Sequence, residues 1–137
     1  MSSPGTRSRP LAGPPSQAAA ADPGAAAVPE PLAEMLRTPF DAVLSDPMRL
    51  RLQAALHGLP AEGSMTFTAL RKTLRLSDGN LGAHLAILVD AGYATATATW
   101  HGKRRTTRYA ATSAGRAAFE AHVRALEAVI GAARPAP

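Results

Sequence analysis

The side chains of this chain best suited to meet a polyanion sit in two neighbouring stretches. His101-Gly102-Lys103-Arg104-Arg105-Thr106-Thr107-Arg108 carries four cations and no acid. The planar fork of an arginine donates two hydrogen bonds to one phosphate, so Arg104, Arg105 and Arg108, with Lys103 and the Thr106 hydroxyl, suit a nucleic-acid backbone. Upstream, Ser77-Asp78-Gly79-Asn80-Leu81-Gly82-Ala83-His84-Leu85 reads as the start of a helix. At about 100° per residue from a Leu81/Leu85/Leu88 stripe, Gly79, Asn80, Ala83, Ala86, Ile87 and Asp90 fall on the far side and His84 on a flank. The N-terminal end of that far side is small, which lets a helix lie deep against base edges. Asn80 can pair with adenine, and His84 can reach a base or a phosphate. Ser77 and Gly79 lie where free N–H groups at a helix N-terminus favour a phosphate. Asp78 adds a negative charge there. It suits the helix dipole and could accept from a cytosine amino group. Arg71, Lys72 and Arg75 extend the basic surface one helix upstream.

Each feature has a plainer reading. The charge run could be a solvated hairpin tip. Gly79 and Gly82 could serve close helix packing, and Asn80 could be an exposed cap-region residue. Trp100 and Tyr109 flank the charge run and are read as packing its base rather than stacking on bases. The order of the pieces favours the polyanion reading.

Other chemistry is poorly represented. The chain has no cysteine, which removes disulfides, thiolate metal sites and thiol nucleophiles together. His57, His84, His101 and His122 are scattered, and Glu120 and His122 have no third ligand at matching spacing, so no metal and no cofactor are expected. No Ser/His/Asp set, phosphate loop or carboxylate pair stands out, and an enzyme is not expected.

The elements that must position these residues are legible from local signals. Leu32, Leu36, Phe40 and Val43 recur at helical spacing, with a break expected near Pro39. Asp46-Pro47 starts a second helix, an N-cap acid followed by proline at the first helical position. Gly58 and Pro60 end it, and a short strand is expected entering Thr66. Phe67–Arg75 is a third helix. Ser77 caps the fourth, which Gly92 stops. Residues 94–99 alternate Ala and Thr, a period of two, and 106–111 return as the partner strand around a tip at 100–105. Thr112 caps a last helix carrying Phe119, Val123, Leu126 and Ile130. The order α-α-α-α-β-β-α is that of a winged helix-turn-helix, mainly α with a small β-hairpin. In that module one helix enters the major groove and the hairpin lies on the flanking backbone.

Of 137 residues, the first 29 hold six of the twelve prolines and no aromatic residue. Such a segment buries too little to offset its ordering entropy, so residues 1–30 are expected to be a disordered arm and 31–134 the folded domain. The alanine runs are too short to span a membrane, no secretory pattern is present, and a cytoplasmic, nucleoid-associated location is expected. The net charge of +5 favours polyanion partners.

Three segments, in the right order, resemble a known group. Asp46-Pro47-Met48-Arg49-Leu50-Arg51-Leu52 is similar to the second helix of ArsR-type regulators. Asp78–Leu85 with Leu88 and Ala91-Gly92-Tyr93 resembles the recognition helix of small ArsR/MarR-like winged-helix regulators. Gly102–Tyr109 with Thr112 and Gly115-Arg116 resembles their wing and the start of their last helix. The match spans about residues 40–131. It implies a homodimeric bacterial transcription factor, most often a repressor, on a palindromic operator in double-stranded DNA. The stripe Phe119/Val123/Leu126/Ile130 is then read as a dimer seam built with Leu36 and Phe40, against the plainer reading of packing within one chain. The chain departs from metal-sensing ArsR members, lacking their cysteine pair and last-helix ligands, and from full MarR proteins, lacking their long terminal helices. A small-molecule effector is compatible with the resemblance but has no residue pattern behind it. The competing function is a winged-helix protein-interaction module or a sequence-blind architectural DNA binder.

Overall fold

The structure, a computed structural model, describes residues 27–134. The expected arm therefore lies outside the described residues apart from its last four. Residues up to Ala33 group with the N-terminal segment, and Glu34 onward forms a second compact unit. In the first, the Ala33 N–H donates to the Pro29 carbonyl at 2.9 Å and opens helix α1, Glu30–Leu36.

In the second unit the chain leaves α1 before Pro39 and forms a strap, 37–46, rather than continuing the helix through Phe40 and Val43. Asp41 makes the difference. Its Oδ1 accepts from the N–H groups of Val43 and Leu44 at 2.8 and 2.9 Å, closing a local turn that competes with helix. Helix α2, Pro47–His57, follows, with Asp46 accepting from the Met48 and Arg49 N–H groups as N-cap. Strand β1, Met65–Thr66, leads directly into helix α3, Phe67–Leu74, capped by Thr66. Arg75 then takes a left-handed conformation at φ 54° and turns the chain sharply. Helix α4, Asp78–Asp90, starts at the Ser77 cap. It ends where Gly92 at φ 81° lets the Tyr93 N–H reach the Leu88 carbonyl at 2.9 Å, a Schellman closure.

Strands β2, Ala94–His101, and β3, Arg104–Ala111, pair in unbroken register around a two-residue turn, Gly102-Lys103. Both strands run further toward the tip than the alternation implied, and Gly102 at φ 66° supplies the positive φ that a tight II′ hairpin requires. β1 pairs with β3, so the sheet order is β1-β3-β2. Helix α5, Ser113–Ala133, starts at Thr112. The expected order of five helices and a hairpin, with one minor extra strand, is the architecture present.

Leu44, Leu52, Leu56, Leu70, Leu81, Leu85, Leu88 and Ala94 form the core, drawn from the strap, α2, α3, α4 and the start of β2. Removing each leucine from water is worth about 1.5–3 kcal/mol. The core therefore clamps α4 by one stripe and leaves its opposite side outward. Against this core α5 comes very close at Gly115, where a Cβ would press into the Tyr93 carbonyl oxygen and lie 2.6 Å from Gln53 Nε2.

Candidate nucleic-acid interface

The helix-turn-helix is α3, the turn at Arg75–Ser77, and α4. Ser77 is held as the α4 cap, its Oγ accepting the Asn80 N–H at 3.2 Å. Asp78 reaches back across the turn to Arg71, Oδ1 to Nε 3.2 Å. That pair pins α4 to α3 and neutralises one of the expected backbone-contacting cations. Lys72 and Arg75 stay exposed beside it.

The outer side of α4 is as small as expected, and its glycines are not packing devices. A Cβ at Gly79 or at Gly82 would meet nothing within 4 Å among the described residues. Gly79, Asn80, Ala83 and Ala86 are all exposed. Ile87 joins them, 40% exposed, an apolar side chain on the same side that could meet a thymine methyl group. Helical spacing puts Ile87 on that side, though it was not among the expected site residues.

His84 is placed differently. It is half-buried against the N-terminus of α2, with Nδ1 3.4 Å from Arg49 Nη1 and 4.0 Å from Asp46 Oδ1. Arg49 itself is tied down, Nε donating to the Val43 carbonyl at 2.8 Å. The Asp46 carboxyl is held below its ordinary value, first by the Arg49 N–H, against burial, with help from the Met48 N–H, the Arg49 charge and His84. His84 therefore lies on the flank of the small outer side of α4. Arg49, which sequence reasoning missed as its neighbour, was signalled by the Asp46-x-x-Arg49 spacing.

The hairpin projects its cations. Lys103, Arg104, Arg105 and Arg108 are exposed and Thr106 is half-buried. Arg108 donates to Ser64 Oγ at 3.4 Å, and the Thr106 carbonyl accepts from Thr99 Oγ1 at 3.3 Å. Among the described residues no acid pairs with Lys72, Arg75 or these four. The two aromatic residues at the wing part company. Tyr109 is half-buried near Phe67, ring centroids 6.5 Å apart, and burial pushes its hydroxyl pKa up despite Arg105. Trp100 is 62% exposed, so it does not pack the base of the wing.

The residues read as a dimer seam also divide. Phe119 faces inward, packing on the core and stacking on the His57 ring at 4.6 Å. Leu36, Val123 and Leu126 are half-buried, while Phe40 is 45% and Ile130 50% exposed. Val129, 43% exposed, was absent from the expected stripe. The inner face of α5 is instead Gly115, His122, Ala125 and Ala128. Among the described residues no three His, Asp or Glu side chains are placed to hold a metal ion, and no helix is long and apolar enough to cross a membrane.

A core-clamped helix with a small outer side, beside a hairpin whose cations meet no acid among the described residues, defines a DNA-binding winged helix. Residues 50–130 match the family model of the winged helix DNA-binding domain, and the chain belongs to that family. The ArsR/MarR-like winged helix that its motifs resemble is the fold it has. No curated protein matches the chain. Among solved structures it is similar to a transcriptional regulator homologue protein from Pyrococcus horikoshii OT3, at 25% identity and TM-score 0.60, over 75% of this chain and 96% of that one. The YusO protein from Bacillus subtilis shares the fold at 14% identity and TM-score 0.53, over 75% and 70%. So does NadR, solved in complex with 4-hydroxyphenylacetate, at 16% identity and TM-score 0.51, over 96% and 83%.

Proposed function

We propose that this protein is a sequence-specific transcriptional regulator, a repressor that occupies an inverted-repeat operator as a homodimer in the cytoplasm. One observation carries the reading. Gly79, Asn80 and Ala83 form an outward side of α4 where a Cβ at Gly79 would meet nothing within 4 Å among the described residues, beside the wing cations, which no acid pairs with among those residues. In the bound state Asn80, Ala83 and Ile87 face base edges, and Ser77 and Gly79 present the helix N-terminus to a phosphate. Lys103, Arg104, Arg105, Thr106 and Arg108 follow the backbone on one flank, and Lys72 and Arg75 on the other. Arg71 joins them to the extent that Asp78 releases it, and His84 contacts the sugar-phosphate edge.

The dimer reading rests on the exposed apolar side chains of Phe40, Val129 and Ile130 and the half-buried Leu126, which a symmetric partner would cover. Residues 31–134 then serve both DNA binding and dimerisation.

The test is selection of fragmented genomic DNA by the purified protein at roughly physiological salt, followed by sequencing of the bound pieces. A short inverted repeat is expected. Featureless recovery would instead favour the architectural or protein-docking reading. On the operator so found, Asn80→Ala should weaken binding by roughly 1–3 kcal/mol at one base position and leave random DNA unaffected. Equal losses on both would remove Asn80 from base reading.

A further inference from the structure

The outer edge of β2 is a surface that this DNA-binding reading leaves unused. β2 is hydrogen-bonded to β3 on one side, and among the described residues no strand lies on the other. The register settles which of its backbone groups are spare. The Thr112 N–H donates to the Tyr93 carbonyl at 3.1 Å, and antiparallel pairs that exchange hydrogen bonds alternate with pairs that do not. Counting on in twos, Thr95, Thr97, Thr99 and His101 bond to β3, while the N–H and C=O groups of Ala94, Ala96, Ala98 and Trp100 point outward. Every residue from Thr95 to His101 is exposed. Proteins ordinarily blunt such an edge with a charge, a proline or a bulge. Ala94-Thr95-Ala96-Thr97-Ala98-Thr99-Trp100 has no charge and no proline, and its register has no bulge.

We propose that β2 pairs antiparallel with β2 of a second copy of this chain, about a twofold axis at Thr97, and that this contact makes copies side by side on DNA bind cooperatively. The segment is nearly its own reverse. Centred on Thr97, Ala96 faces Ala98 and Thr95 faces Thr99, so the exposed outward groups of Ala96 and Ala98 enter the ladder, while Trp100 lies beside the buried Ala94. Charge agrees with the antiparallel sense. The two Gly102-Lys103 turns point to opposite ends, about 37 Å apart at strand rise. The two Arg108 side chains start about 14 Å apart, three strand spacings. Both separations exceed the Debye length of about 8 Å in physiological salt. The contact is also small. One strand edge and one indole fall short of the ~1,200 Å² typical of stable association, so the pairing is weak in free solution. It counts when DNA holds two copies adjacent and raises their effective concentration. The cooperativity rests on the DNA-binding reading, whereas the strand pairing does not.

The chain has no cysteine, so a single introduced thiol reports cleanly. With Thr97→Cys, the two thiols face each other in a non-hydrogen-bonded pair with Cα atoms about 4.5 Å apart, within disulfide range. Oxidation of concentrated Thr97→Cys protein should give a covalent dimer. Thr95→Cys and Thr99→Cys should not dimerise singly, because each faces a threonine, and should do so when combined. Adding Ala98→Pro removes an outward N–H without touching a bond to β3, and should cut the Thr97→Cys yield at least tenfold. Ala96→Lys, which places a charge in the seam and leaves the backbone intact, should do the same. On a long duplex the native chain should bind cooperatively and Ala98→Pro should not, with equal affinity for a duplex that holds one dimer. No covalent dimer from Thr97→Cys, equal yields from all three single thiols, or unchanged cooperativity in both Ala98→Pro and Ala96→Lys would each overturn the proposal. If the thiols couple in the expected pattern while no duplex is bound, the strand pairing stands and the regulator reading falls.

Discussion

The strap side and the wing side of this molecule treat their polar groups in opposite ways. On the strap side they meet one another within the chain, with Gln53 Oε1 and His57 Nδ1 the exceptions among the described residues. The Tyr93 hydroxyl donates to Asp41 Oδ2, and the Asp41 N–H donates to His122 Nδ1 at 3.0 Å. Gln53, fully buried, donates from Nε2 to the Tyr93 carbonyl at 3.2 Å. One residue thus ties together the strap, the end of α4 and α5, Asp41 accepting at its carboxylate from Tyr93 and donating its N–H to His122. On the wing side, Lys103, Arg104 and Arg105 meet no acid among the described residues. A polar group answered inside the chain holds the fold, and a row of cations left unanswered awaits something outside. Substitutions on the first side should change stability, and substitutions on the second should change binding.

The largest effect is expected at Gly115. Gly115→Ala drives a methyl group into the Tyr93 carbonyl and Gln53, with backbone on one side, and should cost ~3 kcal/mol or more. Denaturant unfolding measures it. A loss below about 1 kcal/mol would show that α5 shifts easily and would blur the contrast between the two sides.

Next comes Tyr93→Phe, which leaves the Asp41 carboxylate without its hydroxyl donor. A loss of roughly 1.5–3 kcal/mol near neutral pH is expected. Its pH dependence is specific. Burial would raise the Asp41 pKa, but the Tyr93 hydroxyl, the Leu44 and Val43 N–H groups and His122 outweigh it and hold it below its ordinary value. That contribution is present above the unfolded carboxyl value, about 3.9, and is lost as pH falls through the lower folded one. The bond to Asp41, and then burial, push Tyr93 up to about 12. Its contribution is complete below about 10 and is lost as pH rises toward the folded value. The stability curves of the native chain and Tyr93→Phe should therefore be widest apart between roughly pH 5 and 9 and converge at both ends. A constant gap would show that the hydroxyl acts by packing alone.

On the wing, Arg104→Ala with Arg105→Ala should leave stability within about 0.5 kcal/mol. It should flatten the dependence of log affinity on log salt by about 1.8 if both arginines neutralise phosphates. An unchanged slope would make the wing a solvated tip. The smallest effect is expected from Asp78→Asn, which releases Arg71 and removes one negative charge. A gain in DNA affinity of about 0.5 kcal/mol is expected, since an exposed pair is worth little. A loss specific to one base would instead make Asp78 a reader of cytosine.

Much of this was legible because the deciding interactions are short-range. Asp46, Ser77 and Thr112 act on N–H groups two or three residues ahead, Gly92 and Gly102 supply positive φ where a stop and a turn require it, and alternation marks the hairpin. The misreadings lie where distant groups decide. Phe40 and Val43 lie beyond the break expected near Pro39, but that the stretch becomes a strap was set by the Asp41 turn, anchored by Tyr93 and His122. Phe119 matched the spacing of a seam, yet His57 on α2 draws it inward. Sequence spacing already set His84 on a flank of its helix, but not the partners, Arg49 and Asp46, that hold it there.

The sequence by itself determined the order of elements, their caps and stops, and the gathering of cations at the wing, because these follow from backbone sterics and hydrogen bonds within a few residues. Only the tertiary structure decided which side of α5 is inner, where His84 points, that Trp100 is exposed and that the outer edge of β2 stands bare. Those outcomes depend on which surfaces meet, and that is set by the shape of a core assembled from the strap, α2, α3, α4 and β2 together.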